Sequence, residues 1–90
     1  MNAKHVERLF DHYHEIYERQ FKGDYNAVII LIDLADAIER AYLTDRQKAA
    51  LSLLYIEGFT QPEAAQRMNV TKQTISTLAM TATRKIAKEF

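Results

Sequence analysis

Apolar residues recur at helical spacing along almost the whole chain, and no alternating run bounded by Asn-Gly or Asp-Gly turns suggests a strand. Val6, Leu9, Phe10, Tyr13, Ile16 or Tyr17, and Phe21 fall on one side of a first helix, from about Ala3 to Phe21, which Gly23 ends. Asp24 is suited to N-cap a second helix, from about Tyr25 to Tyr42. Its first half is nearly all apolar through Ile32, which predicts burial, and Asp33, Asp36 and Arg40 then form a polar stripe. These two segments predict an antiparallel helical hairpin.

The remaining helices announce themselves through their ends. Thr44 and Gln47 have the spacing of a capping box, in which the threonine oxygen takes a backbone N–H and the glutamine reaches back. They open a third helix whose inner face is Ala50, Leu51, Leu54 and Tyr55, and Gly58 closes it. Thr60 and Glu63 repeat the signature for a fourth helix, with Pro62 tolerated in the first turn. Asn69 tolerates left-handed geometry and can turn a corner, after which Thr71 caps a fifth helix reaching nearly to residue 90. The expectation is an all-α fold of about five helices. Residues 1–43 would form a hairpin that completes the core or dimerises, and residues 44–90 a helix-turn-helix region, the two making one compact domain.

The corner in "GFTQPEAAQRMNVTKQTIS" carries the functional signal. Counting from Gln61, the fifth residue is Ala65, small enough for close helix contact, and the ninth is Asn69; apolar Val70, Ile75 and Leu78 follow. This small–turn–apolar order is the helix-turn-helix arrangement, whose second helix can lie in the major groove of DNA.

The run "LTDRQKAALSLLYIEGFTQPEAAQRMNVTKQTIS" resembles the fourth conserved region of bacterial sigma factors, on Leu43, Leu51, Leu53, Tyr55, Gly58, Thr60, Glu63, Ala65, Met68, Val70, Thr71, Thr74 and Ile75. The resemblance covers residues 43–90, and the C-terminal domain of LuxR-type regulators shares the outline. It implies a DNA-binding domain, and region-four-like domains also dock on RNA polymerase. The chain departs from the family at Asn69, where a glycine is usual, and at Ala64, where a bulkier aliphatic residue is common. It also carries Ser76, Leu78 and Thr81 where basic residues are usual, which lowers the expected affinity for DNA.

On a helical wheel of residues 72–90, Ile75, Leu78, Ala79, Ala82 and Ile86 share a core face, and Gln73, Ser76, Thr77, Met80 and Arg84 lie opposite. Gln73 suits an adenine edge, Ser76 and Thr77 suit bases or phosphates, and Arg84 suits the backbone. Lys72, Lys85 and Lys88 add phosphate contacts, Met80 is placed for a thymine methyl or a protein partner, and Thr71 and Thr74 complete the candidate DNA-binding set. The competing reading of all these residues is an ordinary solvated helix face.

Charge sharpens this picture. Residues 1–43 hold five Lys/Arg against eight Asp/Glu, a net charge of −3, whereas residues 44–90 hold seven against four, a net of +3. A polyanion would therefore meet the C-terminal part. Without cysteine there is neither a disulfide framework nor a thiolate metal site. The longest apolar run, Ala27 to Ile32, falls far short of the ~20 residues of a membrane helix, and a cytoplasmic protein without cofactors is expected.

Other constellations carry less. His12 and His14 point apart on a helix, although His12 with Glu15 and His14 with Glu18 have chelating spacing. Asp33, Asp36 and Glu39 read as the wet face of the second helix, with Asp36 and Arg40 as an i, i+4 pair. No phosphate loop, nucleophile elbow or metal-hydrolase motif is present, so no enzyme is expected. The leading expectation is a small transcription regulator that reads double-stranded DNA, with a possible homodimer. One alternative is an interaction module docking on RNA polymerase or another regulator through exposed Tyr13, Tyr17 or Tyr25. Another is a ring-forming, small-terminase-like DNA-packaging protein, and the compact architecture would suit a phage.

Overall fold

The computed structural model describes residues 2–90, and all regular structure among them is helical. Six α-helices follow one another: α1 (Ala3–Asp11), α2 (Tyr13–Gln20), α3 (Tyr25–Arg40), α4 (Asp45–Leu51), α5 (Gln61–Met68) and α6 (Lys72–Ala87). A π-helical turn, Ser52–Ile56, continues α4.

The expected first helix is two helices. His12, at φ −101° and ψ 13°, separates α1 from α2, and each half serves a different neighbour: α1 lies chiefly against α6, and α2 against α3. Only Ile16 of α2 is buried; Tyr17 and Phe21, placed on the core side by periodicity, are exposed. Tyr13 and Tyr17 instead stack along α2 with ring centroids 6.0 Å apart, and Phe21 meets Tyr17 edge-on at 5.4 Å.

Helix α2 ends with the Gly23 backbone at φ 82°. The Gly23 amide donates to the Gln20 carbonyl and the Asp24 amide to the Arg19 carbonyl, the paired closure of a Schellman turn. Asp24 then opens α3, accepting from the Ala27 amide at 3.2 Å. Arg19 donates to the same carboxylate at 2.7 and 2.9 Å. This guanidinium, helped by the Ala27 amide, holds the Asp24 carboxyl below its usual range.

The expected burial of the first half of the second helix is not found. Along α3 only Ala27, Leu34 and Ala37 are buried, while Tyr25, Ile29 and Ile32 stand in solvent. The expected Asp36–Arg40 pair is present at 3.2 Å. The helix stops two residues earlier than expected, and Tyr42 adopts φ 51° beyond it.

Both expected capping boxes form, Thr44 with Gln47 and Thr60 with Glu63. The π-turn that ends α4 has a packing reason. Periodicity assigned Leu54 and Tyr55 to the inner face, but Leu53 packs inward as well. Leu53 meets the cluster around Ala50, Ala64, Ala65 and Ile75, Tyr55 meets the cluster of Val6, Phe10 and Ile86, and Leu54 touches both. The wider π-turn presents three consecutive apolar side chains to the interior, more than a regular helical turn would. The Tyr55 ring stacks on Phe10 with centroids 5.2 Å apart, and burial, with Asp11 and Glu7 nearby, pushes its hydroxyl above the usual tyrosine range.

The larger cluster joins α1, α3 and α4 to α6, and the smaller seats α5 on α4 and α6. An apolar groove of about 350 Å3 runs along α2, α3 and α4, with Tyr13, Tyr17, Leu31, Ile38, Leu43 and Ile56 in its lining.

Candidate nucleic-acid interface

Helix α5 is short and set from its first residue. The Thr60 amide donates to Glu63 Oε1 at 3.0 Å, and the Glu63 amide donates to Thr60 Oγ1 at 3.4 Å. The Thr60 amide, with its hydroxyl and then Arg67, holds the Glu63 carboxyl below the usual range. Ala64 and Ala65 are buried, so α5 approaches its neighbours with almost no side chain between.

The corner is closed by backbone geometry. Asn69 sits at φ 56° and ψ 47°, the left-handed region, as expected. Its amide donates to the Gln66 carbonyl at 3.2 Å, and the Val70 amide donates to the Ala65 carbonyl at 2.9 Å. This is a second Schellman closure, with Val70 packed into the cluster of Ala64 and Ala65 as its apolar contact. Thr71 follows as N-cap of α6, accepting from the Thr74 amide at 3.1 Å. Its hydroxyl also meets that of Thr74 at 2.9 Å.

Helix α6 has two faces. Ile75, Ala79, Ala82 and Ile86 are buried as expected; Leu78 is half-buried, and Thr83 and Ala87 join the core. The Thr83 hydroxyl donates to the Met80 carbonyl at 2.9 Å, which removes the cost of burying it. On the other side Gln73, Thr77, Met80, Arg84 and Lys88 are exposed at i, i+4, i+7, i+11 and i+15, a single line along the helix. Ser76 is half-buried beside that line, and Lys72 and Thr71 are exposed at its start.

Three of the candidate residues are otherwise engaged. The Thr71 and Thr74 hydroxyls belong to the cap. Lys85 is half-buried and donates to Gln47 Oε1 at 3.1 Å and the Tyr42 carbonyl at 3.4 Å, tying α6 to α4 and to the end of α3. Its ammonium is part of the scaffold in this structure.

The two ion pairs among the described residues, Arg19–Asp24 and Arg40–Asp36, and the His12–Glu15 contact all fall in the first 43 positions. Lys72, Arg84 and Lys88 thus keep their charge uncompensated by any acidic neighbour among the described residues. The positive end of the α6 dipole and the free amides of its first turn lie beside Lys72 and Gln73. Arg67, which the sequence reading passed over, adds an exposed cation near the end of α5. Its guanidinium lies 4.3 Å from the centre of the Phe59 ring, which fixes it in place. The signal was an aromatic just before the N-cap of α5 and an arginine in its last turn, too far apart in sequence to be read as a pair. Among the described residues no group of three His, Cys, Asp or Glu is placed to hold a metal.

A short helix of buried alanines, a left-handed corner and a following helix with one apolar and one polar face put the molecule in the helix-turn-helix class. Sigma-70, region 4 is the family whose model matches, over residues 41–88. The chain belongs to that family of DNA-binding domains, and the match takes in α4, α5 and α6 while α1, α2 and α3 precede it. No curated protein and no solved structure matches the chain.

Proposed function

We propose that the protein is a small transcription regulator that binds double-stranded DNA in a sequence-dependent way, with α6 as the reading helix. The observation that carries this is the exposed line Gln73, Thr77, Met80, Arg84 and Lys88, whose cations no acidic side chain neutralises among the described residues. Gln73 has the donor and acceptor needed to pair bidentately with adenine, Ser76 and Thr77 serve bases or phosphates, and Met80 offers an apolar contact to a thymine methyl. Lys72, Arg84, Lys88 and Arg67 supply phosphate contacts. Residues 1–43 and 44–90 work as one cytoplasmic domain in this reading, since Val6, Phe10 and Leu34 share a cluster with Ala82 and Ile86.

The test is fluorescence anisotropy of duplex DNA over a salt series, comparing the wild type with Arg84→Ala plus Lys88→Ala. With about four phosphate contacts the logarithmic salt slope is expected near −3 to −4, and the double substitution should reduce its magnitude by about 2. A slope unchanged by the double substitution would remove α6 as the reader.

A second reading is favoured by the groove along α2, α3 and α4, with Tyr13 and Tyr17 in its lining. In that reading the protein docks on RNA polymerase or another regulator. Binding to polymerase lost on changing the groove tyrosines, but kept when Gln73 and Arg84 are changed, would favour it over DNA reading.

A further inference from the structure

Helix α3 carries two separate apolar lines. One is the core line of Ala27, Leu34 and Ala37. The other consists of Tyr25, Ile29 and Ile32, at i, i+4 and i+7, which are 83%, 55% and 62% exposed. A soluble helix with one core-facing stripe does not need the second. It is the largest run of exposed aliphatic side chains on one helix of this molecule, and such patches mark association surfaces.

The same line continues past Ile32 into exposed Asp36 and Glu39. At 3.6 residues per turn these five positions fall within an arc of about 80°. Just before the helix, exposed Lys22 makes no ion pair among the described residues, and Glu39 makes none either. The line is thus apolar in its middle and carries the Asp36 and Glu39 carboxylates at one end, with Arg40 paired to Asp36, while the turn that leads into its other end holds the Lys22 cation.

We propose that α3 pairs with α3 of a second copy of this chain, antiparallel, about a two-fold axis passing between Ile29 and Ile32. That register sets Ile29 against the partner's Ile32 and Tyr25 against the partner's Asp36. Lys22 then faces the partner's Glu39. Each relation is repeated by symmetry, as an isologous interface requires. The surface is complementary to itself only in this orientation, because a parallel pair would bring like charges together at both ends. The isoleucines provide the desolvated centre at the 8–10 Å separation usual for packed helices. The Tyr25 hydroxyl donates to the partner's Asp36 carboxylate, which keeps its contact with Arg40. This interface does not depend on DNA reading by α6, and its test contains no DNA.

The test is sedimentation equilibrium of the full chain without nucleic acid. The wild type is expected as a reversible dimer. Ile29→Glu plus Ile32→Glu should raise the dimer dissociation constant at least tenfold, roughly the effect of 1.4 kcal/mol. Circular dichroism should show unchanged helix content, because both side chains are solvent-exposed. Lys22→Glu alone should weaken the dimer, and Lys22→Glu plus Glu39→Lys should restore it. That rescue is a result that a merely misfolded variant would not give. A wild type that stays monomeric throughout the concentration series overturns the proposal and leaves the line to a different protein. A dimer indifferent to the isoleucine substitutions, or a larger ring, overturns it as well.

Discussion

Asn69 turns the α5–α6 corner with a backbone conformation that most side chains resist. Its neighbours accept it because the two closing hydrogen bonds at Gln66 and Ala65 are made by backbone alone. Asn69→Ala should therefore lower unfolding stability by about 1–2 kcal/mol, and Asn69→Gly should match or exceed the wild type. Urea denaturation of the three proteins checks this; equal losses in both variants would mean that the asparagine side chain matters, rather than its φ. The corner was readable because it depends on one tolerant residue at a fixed count from Gln61. Tyr42 was not, although it reaches nearly the same φ of 51°. A tyrosine gives no sign of left-handed backbone, and its ring, 85% exposed, gives no packing clue either. The contacts of Lys85 were not legible for a related reason: its partners Gln47 and Tyr42 lie 38 and 43 positions away.

At the scale of the element, the ends of helices were more legible than their middles. Caps at Asp24, Thr44, Thr60 and Thr71 are written in residues three apart, and all four form. The break at His12 has no glycine or proline to mark it, and the π-turn answers to packing from both clusters. Periodicity located an apolar first half in α3 and predicts its burial, but Tyr25, Ile29 and Ile32 stand in solvent because no other element of the fold packs on that side. The start of α3 supports a pH prediction. Asp24 is held below its unfolded pKa by Arg19 and the Ala27 amide, so its contribution is present above that value and lost as pH falls through the folded one. Glu63 at the start of α5 behaves alike. Thermal stability should hold from neutrality to about pH 5 and decline below it. Asp24→Asn should show a shallower decline, measured by melting temperature against pH.

The whole molecule depends on α6, which supplies the outward polar line and much of the inward core. Ile86 is fully buried in the cluster that also holds Val6, Phe10 and Leu34, so α1 and α3 both rest on α6. Ile86→Ala should cost about 2–5 kcal/mol. Far-ultraviolet circular dichroism and tyrosine fluorescence should report a single coincident transition. Met80→Ala, on the exposed side of the same helix, should stay within about 0.5 kcal/mol. Two separate transitions in the Ile86 variant would show that the hairpin holds itself together without α6.

The π-turn at Ser52–Ile56 has a consequence at the level of the gene. A π-turn holds one residue more than the α-turn it replaces, so it is the shape that a single inserted codon leaves in an otherwise regular helix. The loop through Gly58 lies immediately downstream and can take up a shift in length. From Thr60 to Ile75, by contrast, caps, corner and buried alanines are tied to a fixed count. Changes of length in the reading frame are therefore least damaging just before the segment that can tolerate none.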